Sequence, residues 1–360
     1  MRKLAVKNLK IGMTIAQSIY STSGSIVIPA GTVVQQAHID RLRNLGIHDV
    51  VIDDPRVRDL VIPESISERT RVEAIGLLRQ VHDSVSRVTR IEDIEIPYDG
   101  VLEVVSDIED DLAEQASDIV TLIDCPSPDD YLEIHSLNVA ILSIATARRA
   151  GLGARTKDVG VGALLHDVGM SLIPDEIRLK RGKLEPEEME TVRKHPALGL
   201  AILRQVSRSS AYARAIVYQH HERHDGSGYP RGLRGTEIDP LARIVSVADA
   251  YCAMTEPRPY RQRLLPQEAY DYLMSAAGFE FDLQTVQGTL MYVAPYPVGT
   301  MVKLNTGEKG VVTRVLKGLG TRPAIRVFYD AEGKALAKPF DLDLSDTENQ
   351  TRLVTEVCDD

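Results

Sequence analysis

Histidine is concentrated in the middle of this chain, in a stretch that runs from Leu164 to Pro230. Five of the nine histidines lie there, and another lies shortly upstream. The candidate ligands come from that upstream position and from LLHDVG, KHP and HHERHDGSGYP: His135, His166, Asp167, His195, His220 and His221. Imidazole and carboxylate groups without a nearby thiolate are a ligand set for hydrolytic transition-metal sites. The clustering therefore predicts a metal centre.

The candidate ligands fall in or beside segments that are predicted to be buried helices. His135 lies among aliphatic residues of one such helix, and a second, apolar almost all round, ends in His166-Asp167. Asp249 is the single charged residue of a third apolar helix, predicted from Ile244 to Met254. An ionised carboxylate in such a place is costly unless it is paired or bound to a cation. This cost argues for a metal ion at Asp167 and for a partner at Asp249.

Two further features lie close to the candidate ligands in the sequence. The segment Arg223 to Gly235 contains several glycines and Pro230, so it cannot stay helical and is expected to form a rim over the site. Arg258 and Arg261 follow the helix that carries Asp249. Because forked guanidinium groups suit phosphate oxygens, an anionic substrate is expected to bind there.

The chain as a whole is predicted to be mainly α-helical, with smaller domains at both ends. Residues 1–56 are predicted to form a small α+β domain, 57–124 a helical connector and 283–360 a β-rich extension, on either side of the histidine-rich region 125–282. Apolar stripes from Val72 to Val88 and from Val101 to Leu122 predict the connector helices, and His82 is expected to face solvent. The strand Asp49 to Ile52 closes the first domain.

Composition excludes several classes of function. The formal net charge of −10 argues against a polymeric nucleic-acid partner, which would need a basic face. Three scattered cysteines without a CxxC motif indicate a reducing compartment and no disulfide framework. No apolar run reaches the ~18 residues that span a membrane, and the N-terminus lacks a signal-peptide pattern. The expected location is therefore the cytoplasm.

The order of the candidate ligands resembles that of a known superfamily. His135, His166-Asp167 and Asp249 follow the H…HD…D order of HD phosphohydrolases. With His195, His220-His221 and HDGSGYP, residues 125–282 resemble an HD-GYP domain, the class of bacterial phosphodiesterases that hydrolyse cyclic di-GMP. The N-terminal segment and the β-rich tail are also similar to domains found beside HD-GYP domains. The resemblance implies an HD-type helical bundle for the catalytic domain.

The resemblance also implies a role for each candidate residue. His135, His166, Asp167 and Asp249 would hold one divalent transition-metal ion, and His195, His220 and His221 a second, with Asp167 bridging both. Iron and manganese are the metals that it favours, and His166 and Asp167 would be the catalytic pair. Gly228, Tyr229 and Pro230 would shape the guanine and ribose pocket, and Arg258 and Arg261 would hold phosphate. His224 and Asp225 would support the ligands rather than bind metal.

The chain departs from the family pattern at two positions. Members of the family usually have Gly-Lys after the HD pair, whereas this chain has HDVGM with Met170 in the place of the lysine. A thioether supplies neither positive charge nor a proton, and the loss of one such contact often costs about 10²–10³ in rate. Tyr131 stands where members with a third metal carry Glu, so two metals are expected.

Three functional hypotheses follow. The first is a dimetal phosphodiesterase that opens cyclic di-GMP, with pGpG or GMP as the final product and a second copy or a signalling protein as a candidate partner. The second, supported by Met170, is a weakly active or inactive metal-bound sensor of cyclic dinucleotides. The third is a general HD nucleotidase for mononucleotides, against which the GYP loop and the two arginines argue by analogy.

Overall fold

The structure is a computed structural model that describes residues 1–20, 26–115, 117–123, 131–180, 182–256 and 263–358. Contacts divide the chain into two units. The first unit comprises Met1–Glu64, Ala116–Ser127 and Met291–Asp360, and the second comprises Ser65–Gln115 and Pro128–Leu290. The domain boundaries expected from the sequence stay predictions.

The N-terminal part of the first unit contains two short antiparallel strand pairs and one helix. Strand β1 (Arg2–Ala5) pairs with β4 (Asp49–Ile52), β2 (Ile19–Tyr20) pairs with β3 (Ile26–Ile28), and α1 (Gln36–Asn44) precedes β4. The predicted strand at 49–52 is confirmed. Asp54, directly after it, is buried, and its Oδ2 lies 2.6 Å from Arg56 Nη2 and 3.2 Å from Arg2 Nε.

The C-terminal part of the first unit is a five-stranded antiparallel sheet, so the predicted β-rich module is confirmed. Its strands are β5 (Met301–Leu304), β6 (Lys309–Arg314), β7 (Ala324–Tyr329), β8 (Ala335–Asp343) and β9 (Val354–Val357), in the spatial order β8-β7-β6-β5-β9. Val302, Val312, Ile325 and Val327 are fully buried and belong to one aliphatic cluster on this sheet. Aliphatic β-branched residues suit such a pleated, buried surface.

The second unit is helical, which confirms the mainly α fold class. It contains α2 (Glu68–Ser86), α3 (Tyr98–Glu114), α4 (Tyr131–Arg149), α5 (Arg155–Leu164), α6 (Asp175–Arg178), α7 (Pro186–Val192), α8 (His195–Gln205), α9 (Ala211–Gln219), α10 (Pro240–Thr255), α11 (Pro266–Ala276) and α12 (Leu283–Leu290). Residues 132–147 of α4 are all buried, as expected for a helix that is covered on every side. Among the described residues, no helix is long and apolar enough to cross a lipid bilayer.

Two expectations about the connector helices are wrong. The apolar stripe that was expected to continue to Leu122 leaves the helix at Glu114, and Ile119 packs instead in the aliphatic cluster of the sheet. His82 does not face solvent, because its side chain is only 12% exposed and its Nδ1 lies 3.1 Å from the Glu133 carboxylate. Glu133, a buried acid on α4, is the partner of His82, and the spacing of apolar residues along α2 gives no information about a residue on another helix.

Candidate metal centre

Five separate elements of the second unit carry the predicted ligands, and most of these lie at helix ends. His135 is in α4 and Asp249 is in α10, while His195 is the first residue of α8. His166 and Asp167 stand between α5 and a 3-10 turn, Val168–Leu172, and His220-His221 follow α9 directly. A residue at a helix end can point along the axis, so two adjacent histidines can reach one cavity.

These elements bring all seven predicted ligands together. The ligand atoms of Asp167, His195, His220 and His221 lie within 4.8 Å of one another, and so do those of His135, His166 and Asp167. Asp167 belongs to both groups. Its Oδ1 is 3.2 Å from His195 Nε2, and its Oδ2 is 3.5 Å from His166 Nε2.

Asp249 lies beside both groups without being a member of either. Its Oδ1 is 3.0 Å from His135 Nε2, and its Oδ2 is 3.6 Å from His221 Nδ1. The side chain is 7% exposed, so the partner that the sequence required for this buried acid is a histidine from each group. Metal binding by Asp249 stays a prediction.

Three of the histidines are oriented by their own local backbone. The Nδ1 atoms of His166, His195 and His220 donate to the carbonyl oxygens of Ala163, Val192 and Val217, at 2.7, 2.8 and 2.9 Å. In each case the carbonyl belongs to the residue three positions earlier. A carbonyl can only accept, so the hydrogen resides on Nδ1 and the Nε2 lone pair of the neutral ring is available to a metal.

The donor set fits a metal ion. His166 is fully buried, and its Nε2 makes no hydrogen bond. A buried polar atom without a partner is rare and needs an explanation such as an ion. Nitrogen and carboxylate donors around this atom match the chemistry of divalent transition metals.

Electrostatics keeps the acids of the cluster ionised and two of its imidazoles neutral. Burial alone would raise the pKa of Asp167, but its close contacts with the His166 and His195 rings hold that pKa well below the usual range. Burial lowers the pKa of His220 to about 3, and the neighbouring His166 and His195 rings lower it further. Burial also lowers the pKa of His221 well below its usual value. Carboxylates and neutral imidazoles are the forms that bind metal.

His135 differs from the other histidines of the cluster. Burial alone would lower its pKa, but the Glu256 carboxylate and the hydrogen bonds to Asp249 and Glu256 raise that pKa to about 10. Its Nδ1 donates to Glu256 Oε2 at 2.7 Å. The ring is therefore held between two acids that lie on opposite sides of it.

The glycine-containing loop lies against the histidine pair. The Tyr229 ring centroid is 4.7 Å from that of His221, and the Tyr229 backbone N–H donates to the His221 carbonyl oxygen at 3.2 Å. At Gly228, an added Cβ would lie 2.5 Å from that same oxygen and 2.3 Å from the Arg223 nitrogen, so only glycine fits. Asp225 accepts hydrogen bonds from Ser227 and thus shapes the loop.

Sequence reasoning missed three residues around this centre. Glu222 is buried, and its carboxylate accepts from the backbone N–H groups of Arg231 and Leu233, at 2.8 and 2.9 Å, which fastens the loop. The Arg193 guanidinium lies over the Tyr229 ring, 5.5 Å from the centroid. The third residue is Glu256, which directly follows α10 and contacts His135.

Two predicted phosphate contacts, Arg258 and Arg261, lie outside the described residues. Met170 lies in the 3-10 turn after Asp167, is half-buried, and donates its backbone N–H to the Asp167 carbonyl oxygen at 2.8 Å. The Tyr131 ring stacks on the His135 ring with centroids 5.2 Å apart, so a phenol stands at that position beside the cluster.

Comparison with known proteins gives matches over most of the chain. Residues 139–285 match the model of the HD domain, and residues 301–359 match that of a KOW domain associated with HD domain. The cyclic di-GMP phosphodiesterase PA4108 of Pseudomonas aeruginosa is 28% identical over 342 residues, which cover 89% of this chain and 82% of that protein. The cyclic di-GMP phosphodiesterase response regulator RpfG of Xanthomonas campestris is 41% identical over 123 residues, 34% of this chain and 32% of that protein.

Among solved structures, Bd1817, an HDG"Y"P protein from Bdellovibrio bacteriovorus, is 20% identical with a TM-score of 0.47. The match covers 80% of this chain and 97% of that chain.

Proposed function

This chain is an HD-domain protein of the HD-GYP type, and we propose that it is a metal-dependent phosphodiesterase that hydrolyses cyclic di-GMP. The single observation that carries the proposal is the buried cluster in which two groups of ligand atoms share Asp167. Relatives named as cyclic di-GMP phosphodiesterases support the choice of substrate. The final product would be pGpG or GMP.

The cluster would hold two divalent ions. His135, His166 and Asp249 would hold one, His195, His220 and His221 the other, and Asp167 would bind both. Bound there, such ions lower the pKa of a shared water and neutralise the charge that develops on a phosphoryl group. The donors, which are nitrogen and carboxylate oxygen without thiolate, suit iron, manganese, zinc or nickel, and the resemblance to HD-GYP domains favours iron or manganese.

The residues of the chain would position the substrate around these ions. Asp167 belongs to both groups of ligand atoms and His166 to one of them, and the two residues would be the catalytic pair, with Asp167 binding both ions. The Tyr229 ring lies beside His221 and offers an aromatic face to a guanine base, flanked by Gly228 and Pro230. Arg258 and Arg261 would bind the phosphates.

The alternative of a metal-bound sensor is not favoured. The sensor hypothesis is based on Met170, because methionine provides no positive charge in the turn after Asp167. The Arg193 guanidinium lies over the Tyr229 ring and would supply positive charge to an anionic substrate bound against that ring.

The test is turnover by the purified full-length protein with added Mn²⁺ or Fe²⁺, measured on cyclic di-GMP, cyclic di-AMP and dGTP. We expect cyclic di-GMP to be hydrolysed in preference to the others, and Asp167→Asn to abolish hydrolysis. Asp175→Asn is a matched control, because Asp175 is an exposed acid on α6 with a side chain 71% exposed. Tight binding of cyclic di-GMP without hydrolysis under either metal would establish the sensor instead.

We also propose that the protein acts in the cytoplasm, with cyclic di-GMP as its small-molecule partner. The net charge of −10 argues against polymeric nucleic acid. A second copy of the chain or a signalling protein would be its protein partner, and size-exclusion chromatography with and without cyclic di-GMP tests the first of these.

A further inference from the structure

Glu256 is a buried acid directly after α10, and its side chain contacts α4 rather than solvent. Only 5% of the residue is exposed. Its Oε2 accepts from His135 Nδ1 at 2.7 Å, and its Oε1 accepts from Asn138 Nδ2 at 2.8 Å. Because His135 and Asn138 are three positions apart on one helix, they present both donors to the same carboxylate.

This carboxylate distinguishes the two halves of the cluster. His195 and His220, which belong to the second group of ligands, donate Nδ1 to neutral backbone carbonyls. His166 does the same. His135 Nδ1 instead donates to an anion at 2.7 Å, whereas His221 Nδ1 lies 3.6 Å from the nearest Asp249 oxygen, beyond hydrogen-bond distance. A carboxylate behind a histidine fixes its tautomer and orientation and makes the other ring nitrogen a stronger metal ligand.

We propose that Glu256 is a positioning residue that holds His135 with Nε2 directed at the cluster and makes the position of His135, His166 and Asp167 the tighter of the two metal positions. The inference rests on the proposed function only in requiring that the cluster bind metal. Its physical basis is the negative charge of the Glu256 carboxylate beside the His135 ring and the fixed orientation of that carboxylate, which accepts one hydrogen bond from His135 and one from Asn138.

Asn138 has a defined part in this arrangement. It is fully buried, and its amide occupies the carboxylate oxygen that does not contact His135. Without this bond, Oε1 of Glu256 would lack that donor and the carboxylate could rotate away from the ring. Asn138 therefore serves to orient the acid, while Glu256 supplies the charge.

The test is a titration of metal-free protein with Mn²⁺, with free Mn²⁺ followed by electron paramagnetic resonance. We expect two binding steps in the wild type. Glu256→Gln keeps an oxygen acceptor but removes the charge, and it should weaken the tighter step by about 10–100-fold and leave the other unchanged. The weakened step must be the one that disappears in His135→Ala and persists in His195→Ala.

Glu133→Gln is the matched control. Glu133 is also a buried acid that contacts a histidine, His82 at 3.1 Å, and it lies on the same helix as His135 but outside both ligand groups. Its replacement should leave both Mn²⁺ steps unchanged. Asn138→Ala is the second variant and should weaken the same step as Glu256→Gln, by a smaller factor, and it decides the question if Glu256→Gln fails to fold.

Two results would overturn the inference. One is a Glu256→Gln protein with wild-type thermal unfolding that binds Mn²⁺ in both steps with wild-type affinity. The other is an equal loss in both steps, which would show no preference for the His135 position. A wild-type protein that takes up no Mn²⁺ or Fe²⁺ would instead remove the proposed function itself.

Discussion

Gly169 lies where the turn after Asp167 meets the start of α8, and a methyl group at this position should disturb the metal centre. A Cβ atom added there would lie 2.1 Å from the carbonyl oxygen of His195 and 2.7 Å from the backbone nitrogen of Gly199. Real Cβ contacts are essentially never shorter than 3.0 Å, so the turn and α8 must separate by at least 0.9 Å. His195 would move with α8, away from the Asp167 oxygen that now lies 3.2 Å from its Nε2.

We expect Gly169→Ala to lower both metal affinity and the rate of hydrolysis. A displacement of about 1 Å from the productive geometry can cost about 10²-fold in rate. Overpacking of a tight contact costs about 1–3 kcal/mol of unfolding free energy. The assay is kcat for cyclic di-GMP at saturating Mn²⁺, together with metal content after desalting and unfolding in urea.

Gly76→Ala is the matched control for this substitution. Gly76 is an exposed residue of α2, and an added Cβ would have no atom within 4 Å. Alanine should therefore leave the rate unchanged and stabilise the helix by about 0.5–1 kcal/mol. A Gly169→Ala protein with the wild-type rate and metal content would contradict this steric coupling between the turn and α8.

Three other perturbations have defined outcomes. Burial would raise the pKa of Asp54, but hydrogen bonds and charge from Arg56 and the charge of Arg2 lower it overall. Asp54 therefore stabilises the fold above the pKa of an unfolded Asp, about 3.9, and this contribution is lost as the pH falls through the lower folded value. Asp54→Asn should thus reduce the urea midpoint at about pH 6, and the difference from the wild type should shrink as the pH falls below about 3.9, whereas a difference independent of pH would contradict the ion pair. Met170→Lys should raise the rate of hydrolysis by up to about 10²–10³ if a cation is missing beside Asp167, whereas an unchanged rate would mean that another group already has this role. Removal of metal with a chelator should abolish hydrolysis and lower the Tm, since an ion present at 100 times its Kd stabilises by about 2.7 kcal/mol, and an unchanged Tm would count against a metal centre.

The ligand cluster could be predicted from the sequence because histidines are concentrated in one stretch and because acids occur in otherwise apolar helices. An acid such as Asp249 in an otherwise apolar helix needs a partner, and His135 in α4 and His221 after α9 lie beside it. Helices and strands were predictable because apolar residues recur at the spacing of the element that buries them. The strand Asp49–Ile52 has the bounds that the pattern indicates.

The residues behind the ligands were not predictable in this way. Glu256 contacts His135 across 121 positions of sequence, and a charged residue just past a helix end is ordinarily exposed. His82 was misplaced because the stripe on α2 carries no information about Glu133 on another helix. Ile119 continues the spacing of α3 although the helix has ended at Glu114, since periodicity does not record where a helix stops.

His166, His195 and His220 each donate Nδ1 to the carbonyl oxygen three residues earlier, so the orientation of each ring is determined within four consecutive residues. Each short segment can orient its imidazole before distant segments of the chain come together, because the carbonyl that accepts the Nδ1 hydrogen bond belongs to the same segment. Little side-chain freedom is then left to lose when an ion arrives, and that small entropic penalty favours tight capture. Transplanting any one of these turns into another helical protein should carry the ring orientation along with it.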